Sequence, residues 1–343
     1  MLIKPPTKLL DNRFTRPVKA WLMKSAVTKR IPRSLLNLWY RTLSDQSKLR
    51  FYERYSKVFR GSDAKVAPGV WTINFCGRDI KLPLRPEFSW LDWDNAVSIV
   101  GHDLEIKQTY AALLASNQRP QLFIDVGANY GMHSTLFLSA GVPVLAFEPN
   151  PSCFACFSAV CELNGFSARW EPVAIGNMSG KVELVYPENE TWLGSVSNEI
   201  IPSLLERVNV IKKETSIKRL DDYINDIPRG AVVVKIDVEG YELEVLRGAI
   251  QLLSICKPII IFETNDSRTR GDLFRAFEQF GYLIGPLPWR QEVDSRRLLI
   301  EAFVTSPAHN FIALPKATIG VTGKNGPFGR AATCGVVDNR GTQ

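Results

Sequence analysis

Short apolar runs alternating with helical patterns are the feature that most limits the fold of this chain. From residue 121 the strand-like runs "QLFIDVG", "VPVLAFE", "ARWEPVAIG", "KVELVYP", "AVVVKIDVEG", "KPIIIFET", "GYLIGPL" and "NFIALP" follow one another. Helical patterns fall between them at 131–140, at 151–164, near 217–226, at 241–253 and at 270–280. Buried strands alternating with helices imply an α/β fold whose sheet is doubly wound and mainly parallel. Ligands of such sheets collect outside the carboxyl ends of the strands, where the chain order reverses. The residues that close each apolar run are therefore the first candidates for function.

The 343 residues suffice for a large α/β core with a small extra segment. A hydrophobic share of 45% and a charged share of 22% are ordinary for a soluble globular protein. No uncharged apolar run approaches the ~20 residues of a membrane span, and the start lacks the apolar core and cleavage site of a signal peptide. The cysteines are scattered; Cys153 and Cys156 form a lone C-x-x-C inside a helical pattern, and there are three histidines. Packed free thiols in a reducing cytoplasm are the expectation, with no metal site.

The net charge of +7 is unevenly spread. Residues 1–60 hold 15 Lys or Arg against 3 Asp or Glu, whereas the remainder is acidic by 5. In this arm Leu35, Leu38, Trp39, Leu43 and Tyr52 recur at roughly helical spacing with cations between them. Such a helix lies on an anionic membrane, contacts nucleic acid, or docks its apolar stripe on the main domain or a second subunit; patterning leaves these open. Next come an alternating hairpin around Cys76-Gly77-Arg78-Asp79, within Trp71–Leu84, and a helix in "DLEIKQTYAALLAS". The expected organisation is a basic helical arm over 1–60, a hairpin and lead-in helix over 61–118, the main domain over 119–316, and a flexible tail over 317–343, rich in Gly, Thr and Asn.

The stretch "FIDVGANYG", Phe123–Gly131, closes one run and opens a helix. Gly127 and Gly131 permit a tight turn and close approach of the backbone to a ligand. A pyrophosphate site would read G-x-G-x-x-G; this turn reads D-x-G-x-x-x-G, and Asp125 at its lip repels phosphate but suits a cationic amino acid moiety. The next run ends in "AFEPNP". Glu148, 21 residues past Gly127, is placed to accept both hydrogen bonds of a ribose diol. Pro149 offers a flat face to a purine, and Asn150-Pro151 caps the following helix. A ligand with a cationic amino end, a ribose and a purine, but no phosphate, is S-adenosylmethionine (SAM).

A second constellation lies in "VVVKIDVEGYELEVLRGA", residues 232–249, where an apolar run ends in Lys235, Asp237 and Glu239 before Gly240. The two carboxylates share a face if the strand continues, and Glu263 closes the next run. One such acid alone reads as a capping or solvated carboxylate; three on one rim point to chemistry.

These segments, in this order and spacing, resemble the FkbM family of SAM-dependent methyltransferases over roughly residues 70–316. The resemblance implies the class I, Rossmann-like methyltransferase fold of seven strands, with "NFIALP" as a final antiparallel strand. It also implies O-methylation of a hydroxyl on a sugar, glycan or polyketide-like natural product. Carried over by position, Asp125, Gly127, Ala128, Asn129 and Gly131 line the methionine end of the cofactor. Glu148 holds the ribose, Ala174 lies near the adenine, and Asp237 and Glu239 stand closest to the transfer site. The resemblance does not extend to the basic arm.

Removal of the acceptor's proton needs a base, for which Glu239 or Asp237 is the candidate and Glu263 the third. His133 reads as a helix-surface or hydrogen-bonded histidine. Asp237 with Asn265 or Asp266 is an alternative magnesium site, but no metal is expected. In Tyr186–Glu199, Trp192 can stack on a pyranose while Ser195 or Asn198 bonds hydroxyls; a surface loop packing one Trp fits equally, and Trp90 and Trp93 have the same two readings. The expected partner is a hydroxyl-bearing small molecule or glycan, with no nucleic acid, in the cytoplasm, with peripheral membrane contact should the arm lie on a bilayer. The rivals are an NAD(P)-binding oxidoreductase, which the missing G-x-G-x-x-G opposes, and an RNA methyltransferase. Enzymes that methylate base amino groups usually carry an N-P-P-aromatic segment where this chain has "KIDVEG".

Overall fold

A computed structural model describes residues 15–56, 67–85, 93–117, 119–188, 190–290 and 297–316. The tail expected at 317–343 and Trp90 lie outside the described residues. Two compact units make up the chain, Met1–Leu104 and Glu105–Gln343.

The first unit contains helices α1 (Thr15–Thr28), α2 (Arg30–Arg41) and α3 (Asp45–Tyr55), strands β1 (Gly69–Phe75) and β2 (Arg78–Leu84), and helix α4 (Trp93–Gly101). β1 and β2 form the expected hairpin, paired from Gly69↔Leu84 to Phe75↔Arg78. Cys76 and Gly77 between them both take positive φ, as a two-residue turn matched to strand twist requires. Period-two alternation buries Trp71, Ile73, Ile80 and Leu82 on one face. Tyr40 of α2, Phe51 of α3 and Trp93 of α4 close over that face, with ring centroids 5.2 Å apart for Tyr40–Trp71 and 5.8 Å for Trp71–Trp93. Trp93 is wholly inside this aromatic core, so its sugar-stacking reading fails.

α5 (Leu104–Ala115) begins at the boundary, and the second unit continues with β3 (Leu122–Val126), α6 (Met132–Ser139), β4 (Val144–Phe147), α7 (Pro151–Asn164), β5 (Arg169–Glu171), β6 (Ala174–Ile175) and β7 (Gly180–Pro187). There follow α8 (Ile201–Leu205), β8 (Val210–Lys218), β9 (Val232–Ile236), α9 (Glu242–Arg247), β10 (Ile259–Glu263), α10 (Ser267–Gln279), β11 (Tyr282–Pro286), α11 (Ile300–Val304) and β12 (Asn310–Pro315). Seven strands form the main sheet in the order β11-β12-β10-β9-β3-β4-β5. β5, β4, β3, β9 and β10 run parallel, and β12 is antiparallel to both β10 and β11. This is the class I, Rossmann-like arrangement, with "NFIALP" as the reversed strand.

The central strands are buried on both faces, which is why they read as continuous apolar runs. Leu122, Ile124 and Val126 of β3 join Val232, Val234, Ile236, Ile260 and Phe262 in one core cluster. Phe123 points the other way, stacks on Phe137 of α6 at 3.9 Å and meets Tyr110 of α5 at 5.8 Å. The caps follow the sequence: the Asn150 side chain accepts from Ser152 N at the start of α7, and Gly165 ends that helix with φ +66°.

Three local expectations are corrected. "ARWEPVAIG" is two short strands in different sheets: β5 joins the main sheet, and β6 joins β8 and β7 in a three-stranded sheet. The helical stretch expected near 217–226 is the end of β8 followed by a 3₁₀ turn, Leu220–Asp226. β8 was hidden because "VIKKETSIK" buries only Thr215 and Ile217, its charged residues facing solvent beside β7. The helix expected at 241–253 stops at Arg247, with Gly248 packed on the Gly176 carbonyl, and a π-helical turn takes over at Leu252–Cys256.

Candidate active site

Register brings four strand ends into one row. Val126 pairs with Phe147 and with Ile236, and Ile236 pairs with Phe262, all in parallel. The next residues, Gly127, Glu148, Asp237 and Glu263, therefore stand side by side along the carboxyl edge. Chain order reverses between β3 and β9, so the row spans the switch point where open α/β sheets take ligands.

Asp125 and Lys235 face each other across β3 and β9 and are both fully buried. Pleat alternation places them on the sheet face that α6 covers. Asp125 Oδ2 accepts from the Ser134 amide at 3.1 Å and from its hydroxyl at 2.6 Å, which fixes the start of α6; Oδ1 is buried with no hydrogen-bond partner. Burial pushes this carboxyl up to about 6, opposed by the Ser134 bonds and the Lys235 charge. Lys235 Nζ lies 3.2 Å from Asp237 Oδ2. A buried cation thus stands behind the acidic rim, where desolvation makes its pairing matter.

Glu148 is held by the protein itself. Its Oε2 accepts from Asn129 N and its Oε1 from Asn150 N, both at 2.8 Å. Burial raises it to about 7 against those two bonds, and the charges of Asp125 and Asp237 add to the rise. Each oxygen keeps a further lone pair for a ligand hydroxyl. Asn129 takes φ +47°, the left-handed region an Asn tolerates, and so turns its amide toward Glu148.

β9 ends at Ile236, so Asp237 and Glu239 are not successive residues of one strand face. A turn brings them together instead: Glu239 takes φ +48° and Gly240 φ +89°. Burial pushes Glu239 up to about 8, reinforced by the charges of Asp237, Glu263 and Glu242 and opposed by Lys235. The charges of Asp237 and Glu263 therefore bear on Glu239. Glu263 is half-buried and its Oε1 accepts from Asn265 Nδ2 at 2.9 Å.

The carboxyl edge is thus a row of acids behind a glycine turn, on a seven-stranded sheet with one reversed strand. Residues 125–285 match the family model of the methyltransferase FkbM domain. Over that stretch the chain is similar to FkbM methyltransferases. Methyltransferase 1 of Beauveria bassiana is 31% identical over 144 residues, 36% of this chain and 57% of that protein. The hexuronic acid methyltransferase AglP of Haloferax volcanii is 32% identical over 155 residues, 43% of this chain and 58% of that protein. The chain spans 57–58% of the length of these two curated relatives. Among solved structures, the methyltransferase FkbM of Methylobacillus flagellatus shares 16% identity with a TM-score of 0.36, covering 67% of this chain and 56% of that one.

Within the matched segment the glycines have a second reason to be glycines. A Cβ on Gly127 would lie 1.8 Å from the Asp237 carbonyl oxygen, and one on Gly131 would lie 2.1 Å from the Phe157 ring. Ala128 is buried, and its amide donates to Phe147 O at 3.0 Å alongside that of Gly127. Pro149 is half-buried between Glu148 and the α7 cap. Ala174 is buried at the start of β6, three residues beyond Glu171, whose carbonyl accepts the Glu148 amide at 3.2 Å.

The 186–199 loop borders the same edge. Thr191 contacts the Tyr130 hydroxyl and lies 3.5 Å from Asn129 Oδ1, and Trp192 beside it is exposed. Asn198 is exposed as well. Ser195 is buried: its hydroxyl donates to the Glu239 carbonyl at 2.8 Å and accepts from Ser197 N at 3.0 Å. That hydroxyl holds the acidic turn in place. His133 is hydrogen-bonded to Tyr110 at 3.0 Å on α6. Asp266 caps α10 and binds Arg268. No cluster of three or more His, Cys, Asp or Glu arranged for a metal occurs among the described residues.

Glu242 went unnoticed in the sequence. It is buried at the start of α9, accepts from Gly240 N at 3.0 Å, and is pushed by burial to about 7. Its signal was an acid two residues past a glycine at a helix start, where the dipole favours it. Cys153 does more than pack: its thiol donates to Asn129 Oδ1 at 3.2 Å and steadies the glycine turn.

Proposed function

We propose that the domain binds SAM at the row of strand ends and methylates a hydroxyl of a sugar, glycan or polyketide-like molecule, with Glu239 as the base. The observation that carries this reading is the acidic edge itself: Glu148 gripped by two amides, Asp125 with an orphaned oxygen, and Glu239 near 8. That edge suits a cationic nucleoside with a free ribose diol and opposes a diphosphate, which is the ground for preferring it to a nicotinamide cofactor. When bound, SAM supplies a methyl carbon on a positively charged sulfur.

Glu148 takes the ribose hydroxyls on the lone pairs its two amides leave open. Asp125 and the Gly127–Gly131 turn take the amino acid end, and Pro149 and Ala174 flank the purine. Asp237 and Glu263 orient the acceptor hydroxyl. Glu239 would take the proton that the acceptor hydroxyl gives up on receiving the methyl that bound SAM would supply. A carboxylate near 8 has basicity suited to neutral pH and contributes ~10²–10⁴-fold; alignment of oxygen, carbon and sulfur supplies more. Trp192 stacks on the pyranose in this reading, which its exposure beside Thr191 supports. The likeness to a hexuronic acid methyltransferase supports a sugar acceptor.

Calorimetry tests the donor: SAM and its demethylated product should bind, and NADH should not. Incubation with methyl-labelled SAM and fractionated host glycans, lipids and small molecules then tests the acceptor. Tighter binding of NADH than SAM would reject the reading.

A further inference from the structure

Helix α2 is packed inside out. Its inward residues are Arg33, Asn37 and Tyr40. Asn37 exchanges hydrogen bonds of 2.7 and 2.8 Å with the backbone of Thr72, and buried Arg33 donates to the carbonyls of Ala67 and Pro68. Its outward residues are Ile31, Leu35, Leu38 and Trp39, which are 52–74% exposed. Their spacing of i, i+4, i+7 and i+8 makes one continuous face. α1 carries a second outward row, Val18, Trp21 and Leu22. Placing polar residues in the core and isoleucine, leucine and tryptophan in water is the reverse of what folding alone favours, so the outward rows need another apolar phase.

The charge around them selects that phase. From residue 15 to residue 44 there are seven Lys or Arg and no Asp or Glu; of these, Arg33 is turned inward and Arg41 pairs with Asp79. Lys29 and Arg30 are exposed immediately before Ile31. We propose that the outward faces of α1 and α2 dock on the surface of an anionic lipid bilayer. Apolar side chains enter the acyl boundary, the tryptophans settle at headgroup depth, and the cations meet lipid phosphates. A second copy of the chain would bring two cationic faces together. Nucleic acid would satisfy the cations but leave Ile31, Leu35 and Leu38 in water. α1 and α2 have 14 and 12 residues, and no described helix is long and apolar enough to cross a membrane, so they lie in the interface plane.

The test is flotation of the full chain with vesicles, independent of any methyl transfer. Vesicles of phosphatidylcholine containing phosphatidylglycerol should carry ~10-fold more protein than phosphatidylcholine alone. Leu35→Glu/Leu38→Glu should lose ~10-fold of that binding with an unchanged thermal melt. On the unaltered protein, lipids brominated in their tails should quench tryptophan fluorescence, a readout that needs no variant to fold. Absence of both flotation and quenching would overturn the proposal, as would full vesicle binding by the double variant. Light scattering that found a dimer split by the double variant, or RNA binding lost in it, with no flotation of the wild type, would reassign the face.

Discussion

Gly127 and Asp237 meet so closely that a Cβ on the glycine would stand 1.8 Å from the aspartate's carbonyl oxygen. The Asp237 amide in turn donates to Val126 O at 3.0 Å. The glycine turn and the acidic turn are thus one seam, and the position of each fixes the other. Gly127→Ala must open that seam and also bear φ +79°. It should destabilise the domain by ~1–3 kcal/mol and weaken SAM at least ~10-fold. Urea denaturation and calorimetry read the two effects; an alanine variant with native stability and affinity would contradict the geometry.

Glu239→Gln removes the proposed base while keeping the size of the side chain. Turnover should fall ~10²–10⁴-fold, with the SAM Kd changed by less than about threefold. The wild-type rate should rise with pH through a limb near 8, and the variant should lack that limb. Single-turnover rates across pH decide it, and undiminished turnover by Glu239→Gln would discard the assignment.

Glu148→Gln replaces one acceptor oxygen with an NH₂ group where both oxygens now receive backbone amides. Two donors then face each other, at a cost of ~1–3 kcal/mol. The expected outcome is a SAM affinity lowered ~10-fold or more, together with a lower Tm. Unchanged SAM binding would remove Glu148 from the ribose site.

The pH dependence of stability follows from the direction of the shifts. Asp125, Glu148, Glu242 and Glu239 sit at about 6, 7, 7 and 8, all above their ordinary 3.8 or 4.5. A group raised on folding holds its proton more tightly in the native state. Its stabilisation is complete below the unfolded pKa and is lost as pH climbs through the folded one. Asp222 and Asp266 are lowered, chiefly by hydrogen bonds from Ser179 and Arg268, and weaken the fold only in stronger acid. The free protein should therefore melt highest near pH 5 and lose ~5 °C or more by pH 8.5, and saturating SAM should flatten that fall. Scanning fluorimetry across buffers checks it; a melt that rises from pH 5 to pH 8.5 would show that the buried acids are not held as described.

Much of the domain was legible because its signals are local. "LFIDV", "VVVKI" and "IIIFE" are apolar because their strands are covered on both faces, and Asn150-Pro151 and Gly165 bracket a helix by backbone chemistry alone. β8 was illegible for the converse reason: its exposed charges carry no period, and only its pairing with β7 makes it a strand. Among site residues, the acids at strand ends could be found, whereas the commitment of Ser195 to Glu239 could not, since 44 residues separate them.

The sequence alone determined which strands are buried and that carboxylates, not a phosphate-binding glycine pattern, close them. These follow from side-chain polarity and period, which act between near neighbours. The tertiary structure decided that Glu239 reaches the site through a left-handed turn, that Lys235 lies buried against Asp237, and that α2 turns its apolar face outward. The burial behind each depends on register and packing between segments far apart in the chain, and the physical cause is the same. Desolvation and charge coupling exist only once distant groups share a dry interior, and no local pattern encodes that distance.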